Sequence, residues 1–403
     1  MSILSHTPES APSTETRLHD ILGHPCSAAL GEATEQDKIS DNAQLETLVP
    51  LGMLSPPTTP LEDEPLVGDA ELRPLSEVDV YDFEKLDYEL QRAKVLGRGL
   101  WSTVLLADAK HPPRAQGQAN SRTLQTPPPS PQQGSHQTGI SSIFAVKTPA
   151  RPDAPSIFKQ EAKILTSLMR RDGAARYVVA FYGLDLRNHA LVFEVVIGGS
   201  LENLLLRLQQ MTEVARHVEL VSLFPGLAND LVCGLEFLHA AGVVHADIKG
   251  ANVLLDMYED DSRPQPVIRA RYIDFSASFR HGSDDSSANA GGTWDYMAPE
   301  QLRIQKDLST PTFASDIWSL GMTLLYLMVG ESPYAAACGH NTFMLREAIK
   351  SGDPLGFARM SSKAQKRMAA AQDFVDCCRL ALNKDRDRRP TASAWKAWLK
   401  ARS

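Results

Sequence analysis

Three chemically different polar side chains lie within six residues of one another in a short loop. The loop carries Asp247, Lys249 and Asn252, and apolar residues 243–244 and 253–255 flank it. A carboxylate can orient an attacking hydroxyl, an ammonium group can balance developing negative charge, and an amide oxygen can bind Mg²⁺. This combination predicts phosphoryl transfer. The alternative is an ordinary polar turn between two strands.

A lysine in an apolar strand and a glutamate on an apolar helix face form a second pair. Lys147 ends the run Phe-Ala-Val-Lys, where a buried charge without a partner would be destabilising. Glu161 shares one face of the following predicted helix with four apolar residues, Ile157, Ile164, Leu165 and Leu168. We therefore expect a buried ion pair between Lys147 and Glu161, with Lys147 also reaching phosphate oxygens. The alternative is that both charges are solvated.

Two further segments fit a nucleotide site. Residues 97–104, Gly-Arg-Gly-Leu-Trp-Ser-Thr-Val, place two glycines between strand-like runs, where backbone N–H groups can approach phosphates. No Gly-Lys-Ser/Thr follows, so this is not a Walker loop, and an ordinary glycine-containing hairpin is the alternative. Asp274 follows an apolar strand and is a ligand type that suits Mg²⁺.

The elements that must position these residues change in type along the chain. Strand-like runs at residues 88–96, 102–109, 143–147, 178–186 and 190–196 enclose one predicted helix at 156–169. Helical patterns then dominate at 201–210, 225–239, 314–328, 364–381 and 392–401, with Pro225 in the first turn of its helix. The pattern predicts an α+β fold with a small β-rich lobe and a larger helical lobe. Asp316 opens the most apolar helix, so we expect its carboxylate to be buried and hydrogen-bonded.

Two stretches lack such periodicity and are rich in Ser, Thr and Pro. They are an N-terminal tail at residues 1–80 and an insertion at 111–142 between two strand-like runs. We expect both to be disordered, because they cannot bury enough apolar surface to offset chain entropy. The predicted folded domain is 86–403, with a first lobe at about 86–197 and a second at about 198–403. The Pro-rich insertion and the tail are candidate sites for regulatory partners.

Composition narrows the function classes. The net charge is −8 and no basic block occurs, so we expect no nucleic-acid partner. Five cysteines without C-x-x-C spacing indicate a reducing, intracellular compartment, cytoplasmic and/or nuclear. The N-terminus lacks an apolar signal core, and residues 317–329 are too short to cross a bilayer, so we expect no membrane association.

In this order the motifs resemble the eukaryotic protein kinase family, serine/threonine branch, from about Leu86 to the C-terminus. The resemblance implies ATP and Mg²⁺ as cofactors and Ser/Thr-containing proteins as substrates. It implies that Asp247 is the catalytic base, that Lys249 assists it, and that Asn252 and Asp274 bind Mg²⁺. The residues implied to contact the nucleotide are Gly97, Gly99, Val104, Ala145, Lys147, Glu161, Glu194, Val196 and Leu254. Segment 293–300 resembles a peptide-substrate shelf.

The resemblance also assigns supporting roles. Phe193 would be the gatekeeper before a hinge at 194–196, and Glu300 would pair with Arg389. A regulatory hydrophobic stack would consist of Leu165, Phe181, His245 and Phe275. Two other readings stay open: a pseudokinase scaffold that binds partners without catalysis, and a small-molecule phosphotransferase of similar fold.

Three positions depart from the family pattern. Ala246 replaces an arginine, Ser276 replaces a glycine, and Ser102 replaces the third glycine of the phosphate loop. Ala246 cannot form charge-assisted bonds with an activation-segment phosphate, so we expect basal activity without such phosphorylation. The phosphorylation positions considered are Ser278, Ser283, Ser286, Ser287 and Thr293. The cations that would otherwise receive the phosphate are Arg271, Arg280 and His281.

Overall fold

The computed structural model of the 403-residue chain describes residues 78–83, 87–110, 143–258, 267–282, 292–302 and 309–402. Residues 1–77 of the predicted disordered tail (1–80) and the predicted insertion at 111–142 lie outside these ranges. Residues 78–80 are described and packed, since Val78 is buried and Val80 forms a bridge with Leu184, so the packed chain includes residues that the prediction placed in the tail. Phosphorylation candidates Ser283, Ser286 and Ser287 do as well.

A five-stranded antiparallel sheet forms the first lobe, in the order β1-β2-β3-β5-β4. The strands are β1 (Asp87–Arg98), β2 (Ser102–Lys110), β3 (Ile143–Pro149), β4 (Phe181–Asp185) and β5 (Ala190–Phe193). Asp108 on β2 pairs with Ile143 on β3, so the two strands that flank the predicted insertion are neighbours in the sheet. This pairing fits the predicted hairpin.

Helix α1 (Ala154–Met169) covers one face of this sheet, and the short helix α2 (Ala174–Tyr177) follows it. Pro155 lies in the first turn of α1, where a missing backbone N–H costs nothing. The helix therefore begins two residues before the predicted start. Its buried face includes Phe158, Leu165 and Leu168, together with Glu161.

The second lobe is mainly helical and is built around α5, which is buried along most of its length. The helices of this lobe are α3 (Leu201–Gln209), α4 (Glu213–Ala240), α5 (Phe313–Val329), α6 (Ala335–Cys338), α7 (Thr342–Ser351), α8 (Pro354–Ala358), α9 (Ser362–Ala370), α10 (Gln372–Ala381) and α11 (Ala392–Lys400). Thr312 and Ser315 form a reciprocal capping box at the start of α5, which fixes where this apolar helix begins.

The prediction that Pro225 opens its helix was wrong. Helix α4 begins at Glu213, capped by Thr212, so Pro225 lies inside it. Burial of Leu220, Phe224 and other apolar residues offsets the lost backbone hydrogen bond. Among the described residues α4 is the one helix long and apolar enough to span a bilayer, although half of its most apolar window is buried in the lobe.

The sequence pattern also merged two helices and missed others. The predicted helix at 364–381 is two helices, α9 and α10, which are separated at Ala371. Helix α7 was not predicted, because Ala348 and Ile349 are its only buried residues and leave a weak periodic signal.

Two short antiparallel strand pairs lie next to the residues that are predicted to carry out the chemistry. Strand β6 (Val243–Val244) pairs with β9 (Phe279–Arg280), and β7 (Val253–Tyr258) pairs with β8 (Val267–Tyr272). The loop with Asp247 therefore runs from β6 to β7, and Asp274 comes just after β8.

Candidate active site

A buried carboxylate from α5 holds the backbone of the loop that carries Asp247. Asp316 accepts hydrogen bonds from the backbone N–H groups of His245 (2.8 Å) and Ala246 (2.9 Å), and its Oδ2 lies 3.2 Å from His239 Nε2. Ala246 has a φ of 67°, in the left-handed region that non-glycine residues seldom adopt. The expectation of a buried, hydrogen-bonded Asp316 is confirmed, and its two acceptor oxygens stabilise the strained backbone at Ala246.

The structure brings Asp247, Lys249 and Asn252 together as the sequence predicted. Lys249 Nζ lies 2.8 Å from Asp247 Oδ2, and Asn252 Nδ2 donates to both Oδ2 (3.0 Å) and the backbone oxygen of Asp247 (2.8 Å). The carboxylate orientation is therefore set by two neighbours in the same loop.

Thr293 joins this group, although the sequence did not predict a contact between Thr293 and Asp247. Its backbone N–H and its hydroxyl both lie 3.2 Å from Asp247 Oδ1, and Lys249 Nζ donates to the hydroxyl at 2.8 Å. The signal that could have found it is its place at the start of the predicted substrate shelf.

The predicted ion pair of the first lobe is present. Lys147 Nζ lies 2.8 and 2.7 Å from the two carboxylate oxygens of Glu161, and both side chains are buried. Lys147 also donates to Asp274 Oδ1 at 2.8 Å, and the backbone N–H of Phe275 donates to Glu161 Oε1 at 3.1 Å. The lysine therefore links strand β3, helix α1 and Asp274, which lies two residues after β8.

The electrostatics of this group keep Asp274 ionised. Burial opposes ionisation, but the positive charge and hydrogen bond of Lys147 outweigh it and hold the pKa of Asp274 below its usual range. Burial also opposes the charged form of Lys147, yet Asp274 and Glu161 together raise the pKa of Lys147. At neutral pH the site therefore offers a carboxylate rather than a carboxylic acid.

The oxygens of Asn252 and Asp274 fit a magnesium ion. Asn252 uses its amide nitrogen on Asp247, which leaves its amide oxygen as the atom available to a cation. Asp274 remains charged, and Mg²⁺ prefers oxygen ligands and commonly completes its shell with water and phosphate. No cluster of three or more His, Cys, Asp or Glu side chains that could hold a metal occurs in the described residues.

Four residues assigned to the nucleotide by resemblance are half-buried and lie on elements that border the site: Val104, Ala145, Val196 and Leu254. Val104 pairs with Gly97 on one side and Lys147 on the other, and Ala145 pairs with Phe193. Gly99 donates its backbone N–H to Ser102 at 2.8 Å, which closes the turn. These positions are compatible with the predicted roles, which remain predictions.

The supporting residues are also in place. Arg389 forms two parallel bonds to Glu300, at 2.7 and 2.8 Å. Residues Leu165, Phe181 and Phe275 belong to one buried cluster, and the His245 ring lies 4.9 Å from the Phe275 ring. Asp274 has a φ of 61°, in the left-handed region that non-glycine residues seldom adopt.

The suggestion that Arg271 receives an activation-segment phosphate was wrong. Arg271 is buried and pairs with Glu194 at 2.7 Å and with Asp256 at 2.9 Å. Ser278 is buried and donates its hydroxyl to the backbone oxygen of His245, so it is a poor phosphorylation site. Arg280 remains at the surface and donates to Ser167 on α1.

Comparison with known families agrees with this architecture. The family described as protein kinase domain matches residues 135–398, more than half of the chain. The chain belongs to the protein kinase family. The match to the family begins after β2 and so does not include Gly97, Gly99 or Val104. Their assignment to the nucleotide rests on the motif and on strand pairing, in which Val104 lies between Gly97 and Lys147.

Individual relatives point to the same family. The chain is 32% identical over 222 residues to MAP kinase kinase PBS2 of Saccharomyces cerevisiae, covering 54% of this chain and 30% of that protein. It is 32% identical over 236 residues to mitogen-activated protein kinase kinase 3 of Arabidopsis thaliana, covering 58% and 39%. With mitogen-activated protein kinase kinase 9 of the same plant, identity is 30% over 264 residues, covering 64% and 75%. This kinase domain thus spans less than half the length of the first two relatives.

Proposed function

We propose that this chain is an ATP- and Mg²⁺-dependent kinase that phosphorylates Ser or Thr hydroxyls of proteins. The observation that carries the proposal is the arrangement around Asp247, which is held by Lys249 and Asn252 and faces Thr293. A second hydrogen-bonded group, formed by Lys147, Glu161 and Asp274, supplies the other side chains that the proposed transfer requires.

In the proposed reaction Asp247 orients the acceptor hydroxyl and takes its proton. The hydroxyl oxygen forms a bond to the γ-phosphorus as the bond to ADP breaks. Lys249, 2.8 Å from Asp247, would balance negative charge on the transferred group, and Lys147 would orient phosphates from the other side. Mg²⁺ held by Asn252 and Asp274 would neutralise phosphate charge.

The substrate class follows from Lys249 and from the relatives. Lys249 bridges Asp247 and Thr293, so a cation stands beside the acceptor site as in the serine/threonine branch that the motif resembles. Several relatives are named MAP kinase kinases, so a MAP kinase belongs among the first protein substrates to test.

The test is a transfer assay with the purified full chain, γ-labelled ATP, Mg²⁺ and degenerate peptides that carry Ser, Thr or Tyr acceptors. We expect label on the Ser and Thr peptides and none with Asp247→Asn as the matched control. A wild-type protein that binds nucleotide but transfers no more phosphate than Asp247→Asn would instead be a pseudokinase scaffold. Label on Tyr peptides alone would contradict the substrate class.

Two broader proposals concern the setting. The Pro-rich insertion and the N-terminal tail would bind regulatory partners, and the protein would act inside the cell, in cytoplasm or nucleus. Cys233, Cys338, Cys377 and Cys378 are all free thiols and buried, which supports a reducing compartment. Imaging of a tagged full chain, intact or without residues 113–139, tests both.

A further inference from the structure

Arg271 is a buried cation that the proposed reaction does not use. It lies on β8, three residues before Asp274, and its side chain is almost inaccessible to solvent. Burying a guanidinium group destabilises the fold unless acceptors satisfy its donors. The partners of Arg271 therefore indicate its role.

The two terminal nitrogens of Arg271 have four hydrogens and meet four acceptors. Nη1 donates to Glu194 Oε2 (2.7 Å) and to the backbone oxygen of Ala175 (3.4 Å). Nη2 donates to Glu194 Oε1 (3.2 Å) and to Asp256 Oδ2 (2.9 Å). The bonds to Glu194 form a bidentate fork, the geometry that arginine makes and lysine cannot.

Glu194 is the first residue of the hinge, directly after Phe193. Its backbone N–H donates to the backbone oxygen of Ala180 at 2.9 Å. Its carboxylate accepts both hydrogen bonds of the fork from Arg271. The entry of the hinge is therefore tied by a side chain to the β7–β8 pair.

The exit of the hinge is tied to the same pair by backbone contacts. Leu255 on β7 donates its N–H to the backbone oxygen of Gly199 at 2.8 Å, and Ser200 bridges Leu254. A Cβ at Gly198 would lie 2.0 Å from the backbone oxygen of Leu255, so only glycine permits this approach.

The β7–β8 pair also holds the predicted metal ligands at its open end. Asn252 immediately precedes β7, Asp274 follows β8 by two residues, and Ile273 donates its N–H to the backbone oxygen of Asn252 at 3.0 Å. One antiparallel strand pair thus connects the predicted base-binding hinge to the residues expected to hold Mg²⁺.

We propose that Arg271 is a positioning residue that fixes the hinge at Glu194 against the β7–β8 pair and so sets the distance between the nucleotide base site and the metal ligands. The inference rests on the proposed nucleotide-binding function. It predicts that loss of the Arg271–Glu194 fork weakens nucleotide binding, whereas loss of the Arg271–Asp256 bond does not.

The experiment measures the affinity of a fluorescent ATP analogue by titration, with and without Mg²⁺, in the full-length wild type and four variants. The variants are Arg271→Met, Arg271→Lys, Glu194→Ala and Asp256→Asn. We expect Glu194→Ala and Arg271→Met each to weaken binding on the order of tenfold. Asp256→Asn, which also removes an anionic partner of Arg271 but leaves the hinge bonds, should stay within about twofold to threefold of wild type.

Two further readouts separate positioning from loss of folding. The double variant Arg271→Met with Glu194→Ala should bind no more weakly than Arg271→Met alone, because both remove the same contact. Arg271→Lys should resemble Arg271→Met, because a point charge cannot form the fork. Thermal unfolding of each variant checks the fold, and Glu194→Ala remains informative if Arg271→Met does not fold.

Equal loss of affinity in Asp256→Asn and Glu194→Ala would overturn the inference, because Arg271 would then have only a structural role. Unchanged affinity in Glu194→Ala would also overturn it. A wild-type chain that binds no nucleotide would overturn the proposed function itself, and the inference with it, so the two failures are distinguishable.

Discussion

The loop of Asp247 and the loop of Gly97 are both expected to contact the nucleotide triphosphate, yet the structure holds them in opposite ways. The first is half-buried at Asp247 and is held by hydrogen bonds to Asp316 and from Thr293. The second is exposed, and a Cβ added at Gly97 would have no neighbour within 4 Å. The fold thus sets the geometry of the catalytic loop before any ligand binds. The glycine loop has room to adapt to the ligand.

The largest effect on kcat should come from substitutions of Asp247 and Asp274. Asp247→Asn and Asp274→Asn should each reduce kcat by about 10³-fold or more, because each removes a charge that acts in the transition state. The double variant should lose little more than either single variant, since the groups act as one unit. Steady-state kinetics with a peptide measures this. Losses that multiply in the double variant would contradict a shared role.

Loss of the Asp316 carboxylate, which holds the backbone of the Asp247 loop, should have the next largest effect on kcat. Asp316→Asn leaves one acceptor where two backbone N–H groups need one each, so we expect kcat to fall by roughly 10- to 100-fold and stability by about 1–3 kcal/mol. The matched control is Asp185→Asn in the first lobe, which also removes a buried carboxylate bonded to several donors, Tyr88 and Asn188 among them. It should lose similar stability with little change in kcat. Equal kcat losses would mean that stability alone explains the effect.

A pair of glycine substitutions compares the exposed loop at Gly97 with the closely packed segment at Gly198, which approaches β7 after the hinge. Gly198→Ala should destabilise the protein by about 1–3 kcal/mol or more, because its Cβ would collide with the backbone of Leu255. Gly97→Ala should leave the melting temperature unchanged and raise the KM for ATP a few-fold, because it meets only the ligand. Calorimetry and kinetics measure the two effects. A lower melting temperature for Gly97→Ala would show that the glycine loop is part of the packed fold.

A smaller effect is expected from shortening the insertion. Replacing residues 113–139 with a brief Gly/Ser turn should leave peptide phosphorylation within a few-fold, because Asp108 and Ile143 are already paired and a short turn can join their strands. Unfolding of the shortened protein would show that the insertion packs on the first lobe.

The smallest effect is expected from phosphatase treatment. Asp316 already accepts hydrogen bonds from the backbone of His245 and Ala246, and the methyl side chain of Ala246 cannot donate a hydrogen bond to a phosphate. We therefore expect the initial rate to stay within about twofold of the untreated protein. A large loss that one phosphorylated position restores would show that another cation, such as Arg280, receives the phosphate.

The sequence by itself determined the chemistry and the lobe order. Asp247, Lys249 and Asn252 are close in the chain, so local spacing was enough to bring them together. The period of α1 placed Glu161 on the buried face and so predicted Lys147 as its partner, and the structure shows this ion pair. The glycines at 97 and 99 predict a close approach of the backbone to phosphate, which stays a prediction.

Only the tertiary structure decided which distant groups complete the site. Thr293 lies 46 residues from Asp247, and Asp316 lies 71 residues from His245, so no periodicity or spacing links them. Arg271 was suggested as a phosphate receiver because its partners could not be predicted from the sequence. They come from α2, the hinge and β7. Pro225 was predicted to start a helix because local propensity disfavours proline inside one. Burial of the apolar residues of α4 stabilises the helix on both sides of Pro225, and local propensity does not include that burial. Contacts within a turn follow from residue order, whereas contacts between elements depend on packing that the whole fold creates.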